Sequence, residues 1–227
     1  MGRLSKQVFG EVTGAVGHVV FKHRAGDNYI AMRAEKQKIC TDPVVLARRA
    51  KFALAGKIAK AINSLALLKS AWPQTVDKKL SQFNEIFQAN YDLIGSVANV
   101  GSITVAPVLG FTLTNPHVTN LVDGVQIQTD ALGVGIGVDT DIEKYLVAAG
   151  VVLLQSPTVE GLPQTLIIPF KTTQQNLDLI NPVNLTVQLM GTELFEYESY
   201  TTKRAFACLI TLNDNGQLVK ASRSVHS

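Results

Sequence analysis

Tyr145-Leu146-Val147-Ala148-Ala149-Gly150-Val151-Val152-Leu153-Leu154 is an uncharged run that reads as a β-strand. Residues 151–154 are apolar on both faces, so this strand is either central in its sheet or covered by a partner. Short β-rich runs recur around it between turn residues, at 102–106, 124–129, 164–170, 185–190, 193–201 and 204–212. In 193–201, Phe195, Tyr197 and Ser199 alternate with Glu196, Glu198 and Tyr200, the pattern of a strand with one wet face. Seven strands at this spacing, with no helical period between them, predict an all-β immunoglobulin-like sandwich over residues 99–227.

Upstream the periodicity changes. Residues 1–16, with Gly10, Gly14 and small side chains, read as an extended arm. Two alternating runs, 17–22 and 28–33, flank Ala25-Gly26-Asp27 and predict a β-hairpin. Thr41-Asp42-Pro43 then supplies a capping side chain and a proline where no helical donor is lost. From Pro43 to about Ala71 helix formers place Val45, Phe52, Leu54, Ile58, Ile62 and Leu65 on one arc, with Arg49, Lys57 and Lys60 opposite. Trp72-Pro73 ends that helix. Thr75 caps a second, in which Val76, Leu80, Phe83, Phe87, Tyr91 and Ile94 recur at helical spacing. Two amphipathic helices joined by a short turn form an antiparallel hairpin. The expected class is α+β, with the arm, β-hairpin and helical hairpin in residues 1–98 and the sandwich in 99–227.

The chain has 227 residues, 46% of them hydrophobic, which excludes intrinsic disorder and permits one large domain or two small ones. A charged share of only 17% suits a surface partly covered by neighbours, or a large β core. The net charge of +3 is uneven: residues 1–60 hold twelve Lys/Arg against four Asp/Glu, a balance of +8, and the remainder carries −5. Such polarity suits a basic end facing nucleic acid, a membrane surface or an acidic protein, and equally head-to-tail contact between identical subunits. Cys40 and Cys208 do not make a disulfide scaffold and are expected to be reduced structural thiols. Met1-Gly2-Arg3 is followed by no apolar signal segment, and Lys6 stands where myristoylation needs Ser or Thr. Residues 93–122 lack charge but are interrupted by Gly, Pro, Asn and Thr, so no spanning helix is expected and the protein should be soluble.

No residue pattern has the spacing of an active site. His18 and His23 fall on opposite faces of a strand, His117 lies in a turn beside Pro116 and His226 in the C-terminal tail, so no zinc site is expected. A G-x-S-x-G elbow is absent. Gly133-Val134-Gly135-Ile136-Gly137 resembles a phosphate loop, but Asp139, Asp141 and Glu143 follow it with the wrong sign of charge. Those acids, with Asp130, fit a solvated loop better than a calcium site, because the EF-hand glycine and distal glutamate are missing. Asn184-Leu185-Thr186 is an incidental glycosylation sequon. No enzyme activity, cofactor, small-molecule substrate or membrane partner is expected.

The expected interaction surface is basic: Arg3, Lys6, Lys22, Arg24, Arg33, Lys36 and Lys38 in the arm and hairpin, then Arg48, Arg49 and Lys51 on the helix. Lys22 and Arg24 share one parity, and the nearby aromatics are Phe21 and Tyr29. Gly2-Arg3-Leu4, Gly14-Ala15-Val16-Gly17-His18-Val19-Val20-Phe21-Lys22, Arg33 and Arg48-Arg49-Ala50-Lys51-Phe52 resemble an uncharacterised bacterial and phage family. That family carries an N-terminal G-x-V-G-x-V-V hairpin, an R-x-K-F helix and a C-terminal β-sandwich. The resemblance is specific over residues 2–60 and architectural beyond, and brings no catalytic residues. It implies a virion component made in the host bacterial cytoplasm, an auxiliary capsid, head-completion or tail-associated subunit. The implied partners are other virion proteins or copies of itself, with a nucleic-acid-binding accessory protein as the alternative.

Overall fold

The computed structural model describes residues 2–3, 13–24, 27–33, 41–72, 81–97, 100–107, 110–133 and 137–227. Helices and antiparallel sheets are mixed, and the chain divides into two compact units, residues 1–42 and 43–227.

In the first unit, β1 (Gly2–Arg3), β2 (Gly14–Val16), β3 (Val19–Arg24) and β4 (Asp27–Met32) form a sheet in the order β1-β4-β3-β2. The expected hairpin is β3–β4, in register from Val19↔Met32 to Arg24↔Asp27, and its turn residues 25–26 lie outside the described residues. Gly17, at φ 58°, turns β2 into β3 in a conformation that favours glycine. The expected arm is therefore partly sheet: Gly2 and Arg3 pair with Ile30 and Tyr29, and Gly14, Ala15 and Val16 with Phe21, Val20 and Val19. Small side chains do not prevent it, since an open hairpin edge asks only for backbone donors and acceptors. Among the described residues of this unit no apolar side chain is buried, and Val16 and Met32 are 71% and 75% exposed.

The second unit begins with α1 (Pro43–Ser64), α2 (Ala66–Ala71) and α3 (Gln82–Tyr91). The single helix expected over 43–71 breaks at Leu65, which is extended at φ −84° and ψ 111°. Ser64 Oγ donates to Ala61 O there, a side-chain bond that competes with the helical ladder. The second helix is capped by Ser81, whose Oγ accepts from Asn84 N at 3.4 Å. Thr75, Val76 and Leu80 lie outside the described residues. Gln82 Nε2 donates to Lys69 O and Trp72 O, and residues 95–97, just after α3, lie beside the start of α1, so the helices run antiparallel as expected. Leu54, Ile58 and Ile62 are buried on the predicted arc. Phe52 departs from that arc: it is 61% exposed and packs its ring 4.8 Å from Phe87.

The strands that follow are β5 (His117–Asn120), β6 (Gly124–Thr129), β7 (Tyr145–Pro157), β8 (Thr165–Lys171), β9 (Gln175–Asn176), β10 (Val183–Gln188), β11 (Tyr200–Leu212), β12 (Leu218–Ala221) and β13 (Val225–His226), with α4 (Gly191–Glu198) before β11. One sheet has the order β10-β6-β5; the other has β12-β11-β7-β8, with β13 on β11 and β9 on β7. The quoted stretch lies in β7, flanked by β11 and β8. Its odd positions Val147, Ala149, Val151 and Leu153 meet α1, α2 and α3, together with Phe206, Cys208 and Ile210 of β11. Its even positions Leu146, Ala148, Val152 and Leu154 meet Val118, Val125, Ile127 and Leu185 of the smaller sheet. The strand is thus central, with helices on one face and a sheet on the other, and two cores share it.

Three expectations are corrected. Residues 193–201 are mostly α4 rather than a strand. Leu194 and Tyr197, three apart, face inward, while the alternation of aromatic and acidic residues mimics a strand without its pairing. Residues 102–106 form no strand, because side chains satisfy their backbone. Thr104 N and O bond to Asn90, Val105 N to Ser224 Oγ, and Val105 O to Trp72 Nε1. His117 begins β5 rather than lying in a turn. The compact units divide at 42/43, and α1–α3 share one core with the large sheet.

Candidate interaction surfaces

The ten basic residues singled out in the sequence divide between the two units. Lys6, Lys36 and Lys38 lie outside the described residues. In the first unit, Arg3 and Lys22 occupy register positions on either side of Tyr29, and Arg24 pairs with Asp27 at the end of the hairpin. Lys22 is exposed, as is Arg33, whose N–H donates to His18 O at 2.6 Å. In the second unit, Arg48 and Arg49 are exposed on α1, and Lys51 Nζ lies 4.6 Å from the centre of the Tyr91 ring, a cation–π contact. Arg48 and Lys51 also line a groove of about 570 Å³ with Val44, Ala47 and Gly95-Ser96-Val97. Its walls are largely apolar, with two cations at the rim.

A second groove of about 450 Å³ lies between α1 and β8, lined by Lys57, Lys60, Ser64, Pro163, Thr165 and Ile167. Lys57 Nζ donates to Thr165 O at 2.9 Å, tying helix to strand, and the Ser64 hydroxyl is taken by Ala61 O. Among the described residues no histidine or carboxylate lines this groove to activate a hydroxyl.

Among the described residues no three His, Cys, Asp or Glu side chains converge on a metal position. Glu143 is buried, whereas Asp139 and Asp141 are exposed. Its Oε1 accepts from Lys220 Nζ at 2.8 Å and from Asp139 N at 2.8 Å. Burial pushes the Glu143 carboxyl up, but the bonds from Asp139, Lys220 and Thr211 outweigh it and hold the group below its ordinary range. Lys220 also donates to Gly137 O, so this ion pair fastens the 137–143 loop to β12. Cys208 is fully buried and its thiol is pushed up to about 12 by burial, so it is an unreactive core residue. Cys40 lies outside the described residues, as do residues 134–136 of the glycine-rich loop. His23 Nδ1 lies 2.8 Å from Asn28 Oδ1, and His226 packs 6.0 Å from Phe206, both local structural contacts.

Sequence reasoning missed a surface at α4. Tyr197 is buried and donates its hydroxyl to Leu121 O and Gly124 O, while Leu189 N donates to Asp123 O. These bonds bring the β5–β6 turn, the end of β10 and α4 together. They leave Val122, Met190 and Phe195 exposed by 83%, 71% and 55%, beside Asp123, Glu193, Glu196 and Glu198. Lys203 Nζ lies 3.8 Å from the centre of the Tyr197 ring at the same place. The acidic alternation of α4 was the available signal, but read as a strand it gave no reason to join it to residues 121–123. Among the described residues no helix is long and apolar enough to cross a membrane. No protein-family model and no curated protein matches this chain.

Proposed function

We propose that this chain is a non-enzymatic assembly protein, a phage virion component that docks through its basic N-terminal region. The observation that carries the reading is that no apolar side chain is buried among the described residues of the first unit. A four-stranded sheet whose described apolar side chains all remain at least partly exposed gains little from burial, and such sheets owe their order to something packed on them. The basic positions Arg3, Lys22, Arg24 and Arg33 on that sheet favour an acidic partner. The resemblance over residues 2–60 to a phage-associated family supports the virion as its setting. The same reading takes the two sheets of residues 99–227 as an immunoglobulin-like sandwich. Its support is that hairpin β5–β6 lies in the smaller sheet and β7–β8 in the larger, and that the chain returns through β10, which pairs with β6, before β11–β12 rejoins the larger sheet.

Mass spectrometry of gradient-purified particles from the producing cells tests the proposal. The chain should be present at a fixed ratio to the major shell protein, and its absence sinks the idea. The alternative, a nucleic-acid-binding accessory protein, is favoured by Tyr29 standing in register between Arg3 and Lys22. It predicts DNA or RNA affinity that falls steeply with added salt, and absent binding at low salt removes it.

A further inference from the structure

Two exposed surfaces of the second unit are complementary to each other. The first is the start of α1, where every residue from 43 to 50 except Val45 is exposed. Helices in proteins draw most of their stability from packing one face, yet these two turns keep most of their side chains exposed beside residues 95–97. Val44 and Leu46 are 58% and 46% exposed and stand beside Arg48 and Arg49. The second is the α4 surface, where Phe195, Met190 and Val122 are exposed among acidic side chains. Among the described residues neither arginine, nor Glu193, Glu196 or Glu198, lies within ion-pair distance of an opposite charge. Each surface thus has an exposed apolar part, and the net charges are opposite: Arg48 and Arg49 on one, and on the other Glu193, Glu196 and Glu198, of which Glu198 acts on the nearby Lys203.

We infer that a second copy of this chain is the partner: the first two turns of α1 on one copy dock on the α4 surface of another. Apolar contact between the two supplies attraction, and the arginines against the glutamates fix orientation. A contact between two different surfaces closes into a ring, pairs twice about a two-fold axis, or extends as a filament. This deepens the assembly reading and rests on it, because it names the partner for a surface that the N-terminal docking does not use.

Light scattering of the full-length chain over a concentration series tests the contact. At low salt the mass should rise above the single-chain 24.5 kDa. At about 0.5 M salt, where charges are screened within a few ångströms, association should weaken by about tenfold or more. Two charge-reversal variants, Arg48→Glu/Arg49→Glu and Glu193→Lys/Glu196→Lys/Glu198→Lys, should each remain at single-chain mass, with wild-type circular dichroism. Mixed together they should associate again, because each then offers the other a matching surface. A wild-type chain that stays at single-chain mass at low salt overturns the inference. So does association that survives either reversal, or a mixture that fails to recover it. A chain present in particles yet monomeric alone would sink the self-contact and leave the virion reading standing; a self-associating chain absent from particles would do the reverse.

Discussion

Replacing Asn90 by alanine should detach the 100–106 segment from the helix layer. Asn90 is fully buried on α3, and its amide reads both backbone groups of one residue: Nδ2 donates to Thr104 O at 3.0 Å while Oδ1 accepts from Thr104 N at 2.8 Å. A third bond runs from Nδ2 to Ile86 O at 2.9 Å. In the variant the Thr104 N–H and C=O lose their partners. An unpaired buried group costs about 1–3 kcal/mol, and Thr104 is only half-buried, so the lower half of that range applies to each. Two groups then cost about 2–4 kcal/mol, offset by at most roughly 0.7 kcal/mol from the better helix propensity of alanine. The net loss expected is about 1.5–3 kcal/mol. Urea unfolding followed by tryptophan emission measures it well, because Trp72 is the chain's single tryptophan and its Nε1 donates to Val105 O beside the affected residue. The midpoint should fall with little change in slope. Asn90→Asp, which sets a buried carboxylate against the Ile86 and Thr104 carbonyls, should be at least as destabilising at neutral pH. A loss for Asn90→Ala below about 0.5 kcal/mol, with native emission unchanged, would refute the view that side chains replace a strand's ladder here.

Glu143→Gln should destabilise the protein by about 1.5–3 kcal/mol at neutral pH, the usual worth of hydrogen bonds to a charged group. Because the folded Glu143 carboxyl lies below its unfolded value, its stabilisation is complete above the ordinary carboxylate range and fades as pH falls through the lowered one. The gap between wild type and variant in urea midpoints should therefore narrow in acid, and a gap that stays constant down to about pH 3 counts against the ion pair. Gly150→Ala places a Cβ 2.0 Å from Phe206 O and 2.9 Å from Phe170 Cζ, with β7 held on both sides. Overpacking of this kind costs about 3 kcal/mol, so thermal melting should fall by roughly 6–12 °C, and an unchanged melting temperature would show that the sheet yields.

The elements that were legible in the sequence are those whose partners are local or whose burial is one-sided. Asp42-Pro43 marks the start of α1, the β3–β4 register follows from its short turn, and Val183, Leu185 and Val187 alternate with exposed neighbours in β10. Both faces of β7 are apolar because both are covered, by helices and by a second sheet. What failed depends on groups distant in sequence. The Ile103-Thr104-Val105 run has the composition of a strand, but Asn90, Trp72 and Ser224 claim its backbone, and no local pattern announces them. Leu65 sits among helix formers, so the break between α1 and α2 has no breaker residue to betray it. The α4 surface joins residues 121–123, 190 and 191–198 through Tyr197 and Leu189, a juxtaposition that only the fold creates.

The two possible explanations for an apolar run such as 151–154, a central strand or one covered by a partner, differ in what they leave for other surfaces to do. With β7 and β11 buried on both faces inside one unit, the large sheet keeps no central face for a neighbour. On the proposed reading, partner contacts fall to the outer elements: the described sheet of the first unit, the exposed first turns of α1, and the α4 end. Charge separates these three. The first two carry Arg3, Lys22, Arg33, Arg48 and Arg49, while the third carries Glu193, Glu196 and Glu198. On that reading the basic sheet and the basic helix start each call for an acidic counterpart. The α4 surface can answer one of them per copy. In an assembly where every α4 surface is taken by a neighbouring α1, the basic sheet of residues 1–42 remains available for a different, acidic partner, and self-contact and docking proceed without competing for the same surface.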